Sequence, residues 1–171
     1  PADPQPCLSG TPTQEQIDRA VLHTLETKTL PSAAARAYEA VRSSVVIVEG
    51  KRAEATSSED DDDERMVGTG LVIVDTGVIL TNLHVVLGAD KLRLRFADGT
   101  ESDAALISVQ PENDLAVLQA RTVPDDLPAA TMRSTGDLAP GDQVIAVGYP
   151  FGIGPSVSAG VVSGLKRDYV S

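Results

Sequence analysis

Residues 67–81 read Val67-Gly-Thr-Gly-Leu-Val-Ile-Val74, then Asp75-Thr-Gly77, then Val78-Ile-Leu-Thr81. Two aliphatic, β-branched runs separated by a short glycine-terminated break predict two antiparallel strands joined by a tight turn. The same texture extends in both directions. Upstream lies Ser44-Val-Val-Ile-Val48, and downstream Leu92-Arg-Leu-Arg-Phe96 alternates apolar and basic residues, as a strand with one buried face does. Ala97-Asp-Gly99 turns the chain into a strand over Asp103 to Val109, and Leu115-Ala-Val-Leu118 supplies a sixth. No helix-length segment separates these runs, which excludes parallel crossovers and predicts an antiparallel sheet. Six short strands in close succession close most economically into a small barrel. Aromatic residues make up 3% of the chain and Trp is absent, so the core must be built from Val, Leu, Ile and Ala.

The flanks read differently. Residues 1–12 are rich in Pro, Ser and Gly and read as a disordered linker. Residues 13–42 read as helical. Thr13-Gln-Glu-Gln16 has the form of a capping box, Ile17, Ala20, Val21 and Leu25 follow at helical spacing to about Lys28, and Pro31-Ser32 punctuates the chain before a second helix, Ala33 to Val41. Residues 43–120 hold the predicted barrel, with an acidic loop at 50–66. Residues 121–171 begin with a connector containing Pro124 and Pro128. They continue with strands over Gln143 to Val147 and Val157 to Ser163, separated by the Gly- and Pro-rich loop Gly148 to Pro155. Two strands cannot close a second barrel. The reading is therefore a complete first barrel and a second one only begun, whose two strands are expected to expose apolar faces.

The 171 residues carry a net charge of -11, and six of the 25 carboxylates sit in the run Glu59 to Glu64. Such a surface repels phosphate backbones and anionic membranes, which argues against nucleic acid as a partner. No apolar stretch approaches the ~20 residues of a membrane-spanning helix. The acidic run lacks the spaced ligands and central Gly of a calcium loop and reads as a solvated connector, so no metal or cofactor is called for. A single cysteine, Cys7, rules out an intrachain disulfide framework. The chain opens at Pro1 rather than Met, which leads us to expect further residues upstream.

Chemistry concentrates in two short motifs. Thr81-Asn-Leu-His84-Val-Val puts one of only two histidines at the end of a buried strand, and thirty positions later Asn113-Asp114-Leu-Ala-Val-Leu puts an aspartate at the start of another. Acyl transfer needs a nucleophile, a base to deprotonate it and donors for the oxyanion. Imidazole suits the base because it ordinarily titrates near ~6.5, and a carboxylate fixes its tautomer and steadies the imidazolium. His84 is thus the candidate base and Asp114 the candidate orienting acid. His23, on the polar face of the first helix, reads as a solvated side chain.

Taken together, Val67-Gly-Thr-Gly-Leu-Val-Ile, Ile79-Leu-Thr-Asn-Leu-His84-Val-Val, Asp114-Leu-Ala-Val-Leu, Val147-Gly-Tyr-Pro-Phe-Gly and Ser158-Ala-Gly-Val-Val-Ser resemble trypsin-like serine endopeptidases of the HtrA (Deg, DegP-like) type. The resemblance runs from about residue 40 to 167. It implies a double β-barrel, ATP-independent cleavage of unfolded or misfolded polypeptides, a place in the bacterial periplasm or envelope, and often a homotrimer. It carries the base onto His84 and the acid onto Asp114. Asn82 matches a common family residue but reads equally well as a turn residue. The family's Gly-x-Ser-Gly-Gly nucleophile turn is not found in these residues, and Ser163, Ser171 and Cys7 are rejected in its place. These 171 residues alone are therefore expected to be inactive. The competing reading is a non-catalytic pseudoprotease or binding module.

Overall fold

The computed structural model describes residues 11–28, 32–52 and 65–165, with Phe151 described in its backbone alone. The sequence readings of residues 1–10, Cys7, Pro31, the acidic run Glu59 to Glu64 and Ser171 lie outside the described residues. The chain forms two compact units whose boundary falls between Ser32 and Ala33.

The first unit holds helix α1 (Gln14–Thr27). It begins where the sequence predicts, because Thr13 and Gln16 close a reciprocal capping box. Gln16 N donates to Thr13 Oγ1 at 3.4 Å and Thr13 N to Gln16 Oε1 at 3.0 Å, which satisfies two otherwise orphaned donors. Ile17, Val21 and Leu25 form its apolar stripe, and each remains largely solvent-accessible. His23 is exposed, as its polar-face position predicts.

The second unit opens with α2 (Ala33–Val41) and continues as strands β1 (Val45–Lys51), β2 (Arg65–Val74), β3 (Val78–Asn82), β4 (Lys91–Arg95), β5 (Glu101–Gln110) and β6 (Leu115–Ala120). Between β3 and β4 the chain makes a single helical turn, α3 (Leu83–Val86). The six strands form a closed antiparallel barrel in the order β1-β2-β3-β6-β5-β4, with β4 returning to β1. The all-β antiparallel reading of the sequence therefore holds, with every barrel strand but β4 one to three residues longer than its apolar run. Backbone pairing continues into polar positions such as Lys51, Arg65 and Glu101, which periodicity alone does not mark.

The barrel interior is aliphatic. Val46, Val48, Val72, Ile79, Leu94, Ala116 and Leu118 are completely buried. On β4 the alternation is plain: Leu92 and Leu94 point inward, while Lys91, Arg93 and Arg95 face solvent. Gly70 sits where any side chain would collide, since a Cβ there would lie 2.7 Å from Ile79 Cγ2 and 2.8 Å from Val48 Cγ2. The β2–β3 turn closes through Gly77 N donating to Val74 O at 3.0 Å, with Gly77 at φ +87°, a conformation that favours glycine.

The connector after β6 returns to the barrel wall, where Ala130 N donates to Val72 O at 2.8 Å and Leu127 joins the core. Strands β7 (Gln143–Gly148) and β8 (Ser156–Val161) then form a two-stranded antiparallel sheet. Val144, Val157 and Val161 on it are exposed, as expected from their sequence. The loop after β7 is pinned to the barrel by Tyr149 N, which donates to Thr69 Oγ1 at 2.8 Å. Gly148 permits this approach, because a Cβ there would lie 2.9 Å from the same oxygen.

Candidate active site at the barrel rim

The site follows from one register. Strands β3 and β6 are neighbours in the barrel although distant in sequence, and Asn82 pairs with Leu115 across them. The chain leaving β3 therefore runs beside the residue entering β6, and Leu83 N donates to Asp114 O at 2.9 Å. α3 then places His84 on the barrel rim. The histidine thus lies just past the strand, on a helical turn, rather than at the strand's end. A four-residue turn between two apolar runs leaves no 3.6-residue periodicity to read.

His84 and Asp114, the two predicted site residues, are brought together. His84 Nδ1 lies 2.7 Å from Asp114 Oδ2, and the His84 backbone N–H donates to Asp114 Oδ1 at 2.9 Å. One residue thus engages both carboxylate oxygens, setting the plane of the acid as well as its distance. Asn82 adds a third contact: its Nδ2 lies 3.2 Å from Asp114 Oδ2 and 3.3 Å from Asp114 O. Asp114 is the one non-glycine at positive φ among the described residues (φ 51°). Aspartate tolerates that left-handed conformation better than most residues do.

The electrostatics follow from the donors. Asp114 is held below the usual carboxylate range, first by the His84 backbone N–H and then by the His84 ring, with Asn82 contributing less. An ionised carboxylate can only accept, so Nδ1 carries a ring proton, and in the neutral ring Nε2 is then the nitrogen with the lone pair. Nε2 has no hydrogen-bond partner among the described residues, and the His84 side chain is 70% exposed. The arrangement is an exposed imidazole with one ring nitrogen tied to a carboxylate, the geometry that general-base chemistry requires.

A depressed carboxylate pKa adds stability above its unfolded value, and that contribution is lost as pH falls through the folded one. The His84–Asp114 pair is therefore expected to persist throughout the neutral range and to release only below the ordinary carboxylate value of ~3.9. Titrating the Asp114 carboxyl carbon by NMR checks this. A midpoint at or above the ordinary value would contradict the geometry.

Asn82 is the site residue whose part the sequence left open, since a turn residue explained it equally well. Ser163 lies just beyond the end of β8, with no glycine-rich turn around it. No group of three or more metal-ligating side chains occurs among the described residues.

A closed six-stranded antiparallel barrel with a histidine–carboxylate pair on its rim matches one of the two barrels of the trypsin-like class of peptidase folds. The chain belongs to the trypsin-like peptidase family, whose domain model matches residues 68–171. It is similar to a probable periplasmic serine endoprotease, DegP-like, of Halomonas elongata, at 39% identity over 105 residues, which are 61% of this chain and 22% of that protein. It is similar as well to the periplasmic serine endoprotease DegP of Escherichia coli K12, at 38% identity over 101 residues, 58% of this chain and 21% of the relative. Among solved structures, the HtrA-type protease AlgW with a tripeptide matches with a TM-score of 0.69 and 32% identity, covering 81% of this chain and 42% of that one. A serine endoprotease from Yersinia pestis matches with a TM-score of 0.65 and 29% identity, over 80% and 46% of the two chains. The matching segment spans about a fifth of the length of these curated relatives.

Proposed function

We propose that this chain provides the base and the orienting acid of an HtrA-type serine endopeptidase, one that cleaves unfolded or misfolded polypeptides in the bacterial periplasm or envelope without ATP and works as a homo-oligomer, a trimer by family likeness. The observation that carries the reading is the 2.7 Å contact between His84 Nδ1 and Asp114 Oδ2, with Nε2 left facing solvent. In this mechanism Nε2 takes the proton from a serine hydroxyl as it attacks the scissile carbonyl, then returns it to the leaving amine. Asp114 keeps the proton on Nδ1 and stabilises the imidazolium formed in between. The serine belongs in a Gly-x-Ser-Gly-Gly turn, whose backbone N–H groups also stabilise the oxyanion. These 171 residues contain no such turn, so taken alone they supply proton transfer without a nucleophile and are inactive.

A fluorophosphonate probe tests this, because it acylates only a serine activated by its base. The complete gene product is expected to label and to hydrolyse unfolded casein, His84→Ala to do neither, and the 171 residues alone to stay unlabelled. A complete gene product that neither labels nor hydrolyses would leave a non-catalytic binding module as the account.

A further inference from the structure

We infer that Asn82 is a positioning residue, whose side-chain amide locks Asp114 into the conformation that presents its carboxylate to His84. The inference rests on the endopeptidase reading above and assigns a role that reading does not need.

The Asn82 amide reaches two acceptors on one residue, the main-chain oxygen of Asp114 at 3.3 Å and its Oδ2 at 3.2 Å. An NH2 group carries two hydrogens, so it can serve both. Both acceptors are oxygens, which only the amide nitrogen can approach, so the orientation of the Asn82 side chain follows from its partners. The contact couples two degrees of freedom that would otherwise be independent: the left-handed backbone of Asp114 (φ 51°) and the rotamer of its side chain.

Such coupling matters because Asp114 is poorly enclosed. Its side chain is 46% exposed and that of His84 is 70% exposed. Water can therefore compete for the carboxylate, and packing does little to keep it in place. The His84 backbone N–H anchors Oδ1, and Asn82 anchors Oδ2, the oxygen that also meets the His84 ring. Deleting the amide leaves Oδ2 with the exposed, mobile His84 ring as its one hydrogen-bond partner, so that the ring and the carboxylate can shift together about the Oδ1 anchor. A reacting group misplaced by about 1 Å loses on the order of 10²-fold in rate. Among the described residues the Asn82 side chain donates to Asp114 and not to His84, so it acts through Asp114 and not as a catalytic residue.

The test reads the tautomer of His84 in the 171-residue chain, from long-range proton–nitrogen correlations of the ring, above the pH at which imidazole is protonated. Wild type is expected mainly in the Nδ1–H form. Asn82→Ala, and Asn82→Asp, which keeps the shape but replaces both donor hydrogens with a like charge, are expected to shift toward Nε2–H. In the complete peptidase, Asn82→Ala should lower kcat about 10- to 100-fold with KM within about twofold. Asp114→Ala is the reference for complete loss of the pair. A tautomer ratio unchanged in Asn82→Ala but shifted in Asp114→Ala would overturn the role of Asn82 alone. A wild-type ring already in the Nε2–H form would overturn the endopeptidase reading and this inference with it.

Discussion

In the proposed mechanism, Asp114→Asn is expected to lower kcat of the complete gene product by about 10⁴-fold, and His84→Ala by about 10⁶-fold, with little change in KM. The first loss follows from the donors around the carboxylate. Oδ1 accepts from the His84 backbone N–H, and Oδ2 accepts from the His84 ring and from Asn82. An amide has one oxygen. If that oxygen faces the backbone N–H, its NH2 confronts both Asn82 and Nδ1, so Nδ1 must accept and the ring proton moves to Nε2. The base then has no lone pair where the nucleophile needs one. If the amide is turned the other way, its NH2 points at the His84 backbone N–H and the acid loses its anchor. His84→Ala removes the base altogether, which leaves only binding and oxyanion stabilisation. Steady-state hydrolysis of a chromogenic peptide, with thermal unfolding measured alongside, checks both variants. An Asp114→Asn enzyme within tenfold of wild type would mean that Asp114 does not set the tautomer of His84.

For stability, the largest single effect is expected at Leu118. It is completely buried, pairs with Ile79 on β3 and Leu106 on β5, and belongs to the aliphatic cluster inside the barrel. Leu118→Ala should destabilise the barrel by about 2–5 kcal/mol, the range for a large-to-small change in a core that relaxes only in part. The β-branched members of the same cluster, Val46, Val48, Val72 and Ile79, have few alternative rotamers with which to fill the space, which favours the upper half of that range. Ile107, an isoleucine 55% exposed on β5, is the contrast: Ile107→Ser should stay within about 0.5 kcal/mol of wild type. Urea unfolding of the two variants measures the difference directly. Equal costs at the two positions would mean that the barrel does not carry the stability of this unit.

The two experiments bear on one piece of backbone. β6 begins one residue after Asp114 and carries Leu118 three residues further on. Its pairing with β3 both closes the core and brings Asn82, Leu83 and His84 to the acid.

Much of this was legible from residue order alone. Period-two alternation such as that of Leu92 to Phe96, and apolar runs separated by glycine turns, determine an antiparallel barrel, because strand geometry and side-chain direction are local properties. The capping box at Thr13 is equally local, with its partners three residues apart. His84 and Asp114 stand out by residue type and by the motifs around them. What residue order could not determine is which strands become neighbours. β3 pairs with β6 rather than with β4, and the contacts of Asn82 and His84 with Asp114 span 32 and 30 positions. No sequence periodicity encodes such a contact. The tertiary structure decided it by closing the barrel, which buries Val46, Val48, Val72, Ile79, Leu94 and Leu118 together in one interior. The helical turn that carries His84, the left-handed backbone of Asp114 and the reach of the Asn82 amide all follow from that closure.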